Sequence, residues 1–212
     1  MMVVLAKVLI AFIVALIANS SHADYSIEAH IEPAKLYALS HPLKRQTMEF
    51  KLKLIVLMFG VLFTGLTAGL CFTWSNAVTP GIGRLDNLTF LKSFQSMNRV
   101  IINGKFMIVF FGPVILLFLN TYLFRDNGTS FWLFLTAAML YFAGLGLVTI
   151  FGNVPLNEVL DRSNLEVLSK IELQELRNSF EQPWNRWHTV RTLSSFSAFV
   201  LLIIGMLYTE YL

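Results

Sequence analysis

The chain has 212 residues, of which 56% are hydrophobic and only 14% charged, and a mean hydropathy of +0.64. That composition is too apolar for a single water-soluble core and points to an integral membrane protein. The formal net charge of +3 fits basic residues beside membrane helices and lipid headgroups, so nucleic acid is not expected as a partner.

Residues 1–23 hold an apolar run from Val3 to Ala18 and then Ser21-His22-Ala23, small residues in the arrangement of a signal-peptidase site. Three readings stay open for this stretch: a cleaved signal, a fifth span, or an upstream mis-start ahead of Met48. Residues 24–47 are polar, carry Pro33 and Pro42 and show no sustained period, so they read as a linker. The expected division is an extension at 1–47 and a membrane domain at 48–212. Four stretches then provide the roughly 20 apolar residues that a membrane helix needs, at about 54–74, 106–124, 131–151 and 193–212. None shows the two-residue alternation of a membrane barrel strand. The fold class is therefore an all-α membrane protein, an up-and-down bundle of four transmembrane helices with additional interfacial helices.

The first span contains Gly60, Gly65 and Gly69, and small residues near four-residue spacing let a second helix approach closely. This favours packing inside the bundle, with a homo-oligomer through the same face as the alternative. Pro80 and Gly81 are expected to break the helix. Residues 82–105 read as a mixed helix at the interface, with Leu91, Phe94, Met97 and Ile101 on one face. The loop RDNGTS can join only antiparallel neighbours, and Pro155 should end or kink the third span between Asn153 and Asn157. Ser163 and Glu166 form a candidate capping box before an amphipathic stripe of Leu165, Leu168, Ile171, Leu176 and Phe180. That helix is expected to lie on the membrane or cap the bundle.

Four alternating spans bring the end of the first, the start of the second, the end of the third and the start of the fourth to one membrane face. Trp74, Asn98, Asn103, Asn153, Asn157, Trp187, His188 and Arg191 all fall near that face. The segment PWNRWHTVRT stacks Trp184, His188 and Arg191 on one side of a helix. Ionisable and polar groups at the mouth of an oily bundle point to a pocket for a largely apolar, partly polar molecule. The competing structural account is that tryptophan and arginine settle at interfaces and asparagines cap helices.

Cys71 is the only cysteine and His188 the only histidine beyond His41, so no metal site is expected. A haem on His188 stays open, although the core offers no second axial histidine. Phosphate-loop, dinucleotide and serine-elbow motifs are absent. What remains is proton transfer. His188 could act as base near neutral pH, Arg191 could stabilise an enolate or phenolate, the amides could orient substrate oxygens, and the indoles could stack on an aromatic ring.

The segments GLCFTWSNAVTPGIGRLD, SFQSMNRVIIN, GNVPLNEVL and WNRWHTVRT resemble the anthrone oxygenase family, over about residues 54–212 and in family order. The resemblance implies oxidation of an anthrone to an anthraquinone with molecular oxygen as co-substrate and no established cofactor. It also implies that Trp74, Pro80, Asn98, Asn103, Asn153, Asn157, Trp187, His188 and Arg191 carry the site. On the reading of the residues themselves, His188 is then expected to deprotonate the substrate while Arg191 and the asparagines hold the oxyanion, with Trp184, stacked beside them on the helix, among the substrate contacts. The expected partners are the lipid bilayer and a lipophilic aromatic molecule, and the expected location is the bacterial inner membrane. A different class of function, non-catalytic binding of a lipid, quinone or partner helix at the same mouth, is the alternative.

Overall fold

The structure, a computed structural model, describes residues 33–209, and among them the regular elements are all helical. The signal-like run at 1–23 lies outside the described residues. Helix α1 (Pro33–Thr73) begins within the stretch expected to be a linker, so residues 33–46 are helical rather than irregular. Everything below concerns the compact unit Thr47–Leu212. It contains four helical stretches long and apolar enough to cross a membrane, Thr47–Ile82, Gly104–Leu123, Gly128–Arg162 and Lys170–Leu207.

Pro80 does not end the first span where expected. The helix widens into a π-turn, π1 (Trp74–Val78), and continues as α2 (Thr79–Ile82). Thr79 donates its backbone N–H to the Trp74 carbonyl, and its hydroxyl donates to the same oxygen at 3.1 Å. Pro80 then falls in the first turn of α2, where a missing N–H costs little. The third span repeats this solution. Helix α5 (Gly128–Met139) passes through π2 (Leu140–Leu147) and π3 (Thr149–Asn153) into α6 (Val154–Arg162), with Pro155 in the first turn after π3. The expected break at Pro155 is thus a local widening, and Asn153 and Asn157 stay on one continuous helix.

Helix α3 (Asn87–Ile101) is capped by Asp86, whose carboxylate accepts from the Thr89 hydroxyl at 2.6 Å and from its amide at 3.1 Å. These bonds hold the Asp86 carboxyl below the ordinary carboxylate range. Helix α4 (Gly104–Leu123) is capped by Asn103. Helix α7 (Lys170–Leu207) is a single helix that runs through Pro183, so the expected separate amphipathic helix is its outer extension. The capping box is Ser169 with Glu172, at 2.7 and 3.3 Å, rather than Ser163 with Glu166. Both pairs fit the Ser-x-x-Glu pattern, but Ser163 instead closes α6 by donating to the Val159 carbonyl. Leu165 and Phe180 of the expected stripe are buried, whereas Ile171 is exposed and Leu173 takes its place in the core.

Contacts fix neighbouring spans as antiparallel. Val56 meets Asn120 and Thr67 meets Val109 across the first and second spans. Ser130 meets Gly205, and Asn153 meets Trp184, across the third and fourth. Gly60 and Gly65 are used inside the unit: a Cβ would come within 2.6 Å of Asn120 at the first and 2.8 Å of Phe199 at the second, while Gly69 meets nothing. One apolar core lies between the spans, and a second joins Phe90, Leu91, Phe94, Leu160, Leu165, Leu173, Phe180 and Trp184. Helices α3, α6 and the outer part of α7 therefore form a cap with a core of its own.

Candidate functional site beneath the cap

Between the cap and the span ends lies a cavity of about 410 Å³, the size of a small-molecule site. Its wall takes Trp74 from π1, Asn98 from α3, Phe106 from α4, Thr149 from π3, Asn157 from α6, and Trp184, His188 and Arg191 from α7. Two of the three π-turns, π1 and π3, contribute to this wall. π-turns are frequent at functional sites because the extra residue re-aims side chains.

The three α7 residues form a layered group. The Trp184 indole stacks on the His188 ring, with centroids 4.8 Å apart and planes at 20°. The Arg191 guanidinium sits 5.3 Å over the Trp184 ring, a favourable cation–π placement. Trp184 also donates its Nε1–H to Asn157 Oδ1 at 2.8 Å, and Trp74 packs against it at 5.7 Å. Trp74 and Trp184 thus give the cavity wall an aromatic patch.

Both nitrogens of His188 are engaged. Nδ1 lies 2.7 Å from Arg191 Nη2, and Nε2 lies 3.1 Å from the Cys71 carbonyl oxygen. A guanidinium has donors only and a carbonyl accepts only. His188 is therefore the neutral ring with its proton on Nε2, its one lone pair accepting from Arg191. In this geometry each ring nitrogen of His188 already has a partner.

Arg191 is 9% exposed, and among the described residues no carboxylate forms an ion pair with it. Beyond His188 it has one long contact, 3.4 Å from Nη1 to the Thr149 hydroxyl, and its Nε has no partner. Asn98, equally buried, leaves its Nδ2 without an acceptor. Arg191 and Asn98 both line the cavity, and each keeps one buried donor without an acceptor. Such groups are costly unless an acceptor meets them.

Trp74, Asn98, Asn157, Trp184, His188 and Arg191 line one cavity. Three others stand apart. Asn153 is buried behind the wall, donating Nδ2 to the Trp184 carbonyl at 3.1 Å. Asn103 caps α4, its Oδ1 accepting from the amides of Lys105 and Phe106. Trp187 is 44% exposed and packs over Gly152 outside the cavity. Two ion pairs at the rim escaped sequence reasoning: Arg99 with Asp161 at 2.6 Å and Arg162 with Glu158 at 3.3 Å. The second could have been read from its four-residue spacing. The first joins helices 62 positions apart and leaves no local signal.

Residues 102–201 match the family model described as Anthrone oxygenase, the family that the sequence resembles. The match includes Asn157, Trp184, His188 and Arg191 and begins after Trp74 and Asn98. Comparisons with curated proteins and with solved structures gave no match.

Proposed function

We propose that the cavity binds a lipophilic aromatic compound of the anthrone type, one with a carbonyl or phenolic oxygen and an acidic C–H, and that the protein oxidises it with molecular oxygen. The carrying observation is Arg191, a buried cation with no carboxylate partner among the described residues. An oxygen that gains negative charge as the C–H ionises is the acceptor this guanidinium calls for, and the Asn98 amide on the same wall supplies a second polar group. Trp74 and Trp184 provide ring faces for the hydrocarbon part.

The chemistry needs little else. The activated CH2 loses a proton to water at the open side of the cavity, and the resulting enolate is held by Arg191. The carbanion passes its electrons to dioxygen and forms a carbon-bound peroxide anion, which takes a proton back from water to become a hydroperoxide and then loses water to leave the ketone. One CH2 and one O2 become one C=O and one H2O. Stabilising the enolate beside a buried cation lowers the first barrier, which is where a preorganised charge acts most strongly.

Oxygen uptake by the purified protein on addition of 1,8-dihydroxyanthrone tests this reading. The expected result is uptake above the protein-free rate with formation of the anthraquinone, and a loss of about 100-fold or more in kcat/KM for Arg191→Gln, the scale of removing one oxyanion donor. Tight binding of the product anthraquinone without any oxygen uptake would instead mark a binding protein.

A further inference from the structure

We infer that His188 is a positioning residue that fixes the guanidinium of Arg191, and that it does not exchange a proton with the substrate. The inference rests on the reading of the cavity as an oxyanion site. It is carried by the chain of contacts from Cys71 through His188 to Arg191. The Cys71 carbonyl, on the first span, accepts from Nε2 at 3.1 Å and so selects the tautomer. With the proton on Nε2, Nδ1 presents a lone pair to the next turn of α7, where Arg191 Nη2 donates to it at 2.7 Å. The stacked Trp184 ring holds the imidazole in plane, and the same indole supports the guanidinium from its own face.

Each contact removes a freedom that the arginine would otherwise keep. One terminal nitrogen is tied to His188, the other reaches only the Thr149 hydroxyl at 3.4 Å, and Nε is buried without a partner. A buried arginine would ordinarily meet a carboxylate, which would fix the side chain but neutralise its field. A neutral imidazole fixes it and leaves the charge in place. His188 thus acts as an orienting partner that costs the site none of its positive potential, an arrangement suited to gripping an oxyanion.

Two measurements on the full chain in detergent test this. The first is the histidine ring signal of protein labelled with 15N-histidine, assigned by its loss in His188→Gln. A neutral ring protonated on Nε2, with Nδ1 shifting when Arg191 is replaced by Gln, is expected. A ring protonated on Nδ1, or one indifferent to Arg191→Gln, would overturn the inference without any ligand being involved. The second is quenching of tryptophan fluorescence by 1,8-dihydroxyanthraquinone, together with oxygen uptake on 1,8-dihydroxyanthrone. His188→Gln keeps an acceptor for Arg191 and a donor for the Cys71 carbonyl, and should lose clearly less affinity and rate than His188→Phe, which keeps neither. His188→Phe should weaken binding at least tenfold, and adding it to Arg191→Gln should produce little further loss. Normal binding with abolished oxygen uptake in His188→Gln would make His188 a proton-transfer group and overturn the inference. Failure of the unsubstituted protein to bind or oxidise either compound would count against the proposed function, while the ring signal still decides the role of His188.

Discussion

Tyr141 is fully buried between the spans yet carries a hydroxyl. It donates to the Phe110 carbonyl at 2.7 Å and lies 3.1 Å from the Thr67 hydroxyl, which in turn donates to the Val109 carbonyl at 2.9 Å. One side chain therefore ties the first three spans together where lipid offers no substitute partner. Tyr141→Phe should lower the thermal midpoint in detergent by the equivalent of about 1 kcal/mol, the net worth of such a bond. An unchanged midpoint would mean that the bond adds nothing net. Residues at the cavity behave differently. Arg191 Nε and Asn98 Nδ2 lack partners, so replacing Arg191 with Leu should leave stability unchanged or raise it while abolishing ligand binding. Thermal unfolding and fluorescence quenching on one preparation would check both halves of that prediction.

At the scale of elements, the cap is held by Arg177, which sequence reasoning did not single out. Its guanidinium pairs with Glu181 at 2.7 Å and donates to the carbonyls of Gly83 and Leu85 at 2.7 and 2.8 Å. It also lies 4.3 Å over the Phe90 ring. These contacts satisfy the turn between α2 and α3 and lock α3 against α7. Arg177→Met should accelerate amide hydrogen exchange across residues 83–101 and weaken binding in the cavity, since Asn98 belongs to α3. Exchange confined to the immediate turn would show that the apolar cap core suffices. The prolines also belong to this scale. Pro80 and Pro155 each stand two residues beyond a π-turn, which accommodates the ring by widening the helix rather than ending it. Sequence rules assign a break to such prolines, because the compensating turn depends on packing against neighbouring helices.

For the whole unit, antiparallel neighbours place the loop at Asp126 and the turn at Asn164 at opposite ends of the spans. In a Cys71→Ala background, Asp126→Cys and Asn164→Cys should react with a membrane-impermeant maleimide from opposite sides of the membrane. Labelling of both from one side would overturn the four-span arrangement. Buried Cys71 should not react in the unsubstituted protein.

The amino-acid sequence alone carries the all-helical class and four stretches long and apolar enough to span a membrane, because apolar length is a local quantity on which a bilayer acts. It also picked out Trp184, His188 and Arg191, whose spacing on one helix places them on one face without outside help. Only the tertiary structure decided which polar residues enter the cavity, sending Asn103 to a helix cap, Asn153 behind the wall and Trp187 outside. It also decided the state of His188, since the carbonyl that selects its tautomer belongs to Cys71, 117 positions away. A hydrogen bond over such a distance depends on how two helices meet, and no periodicity within either helix records it.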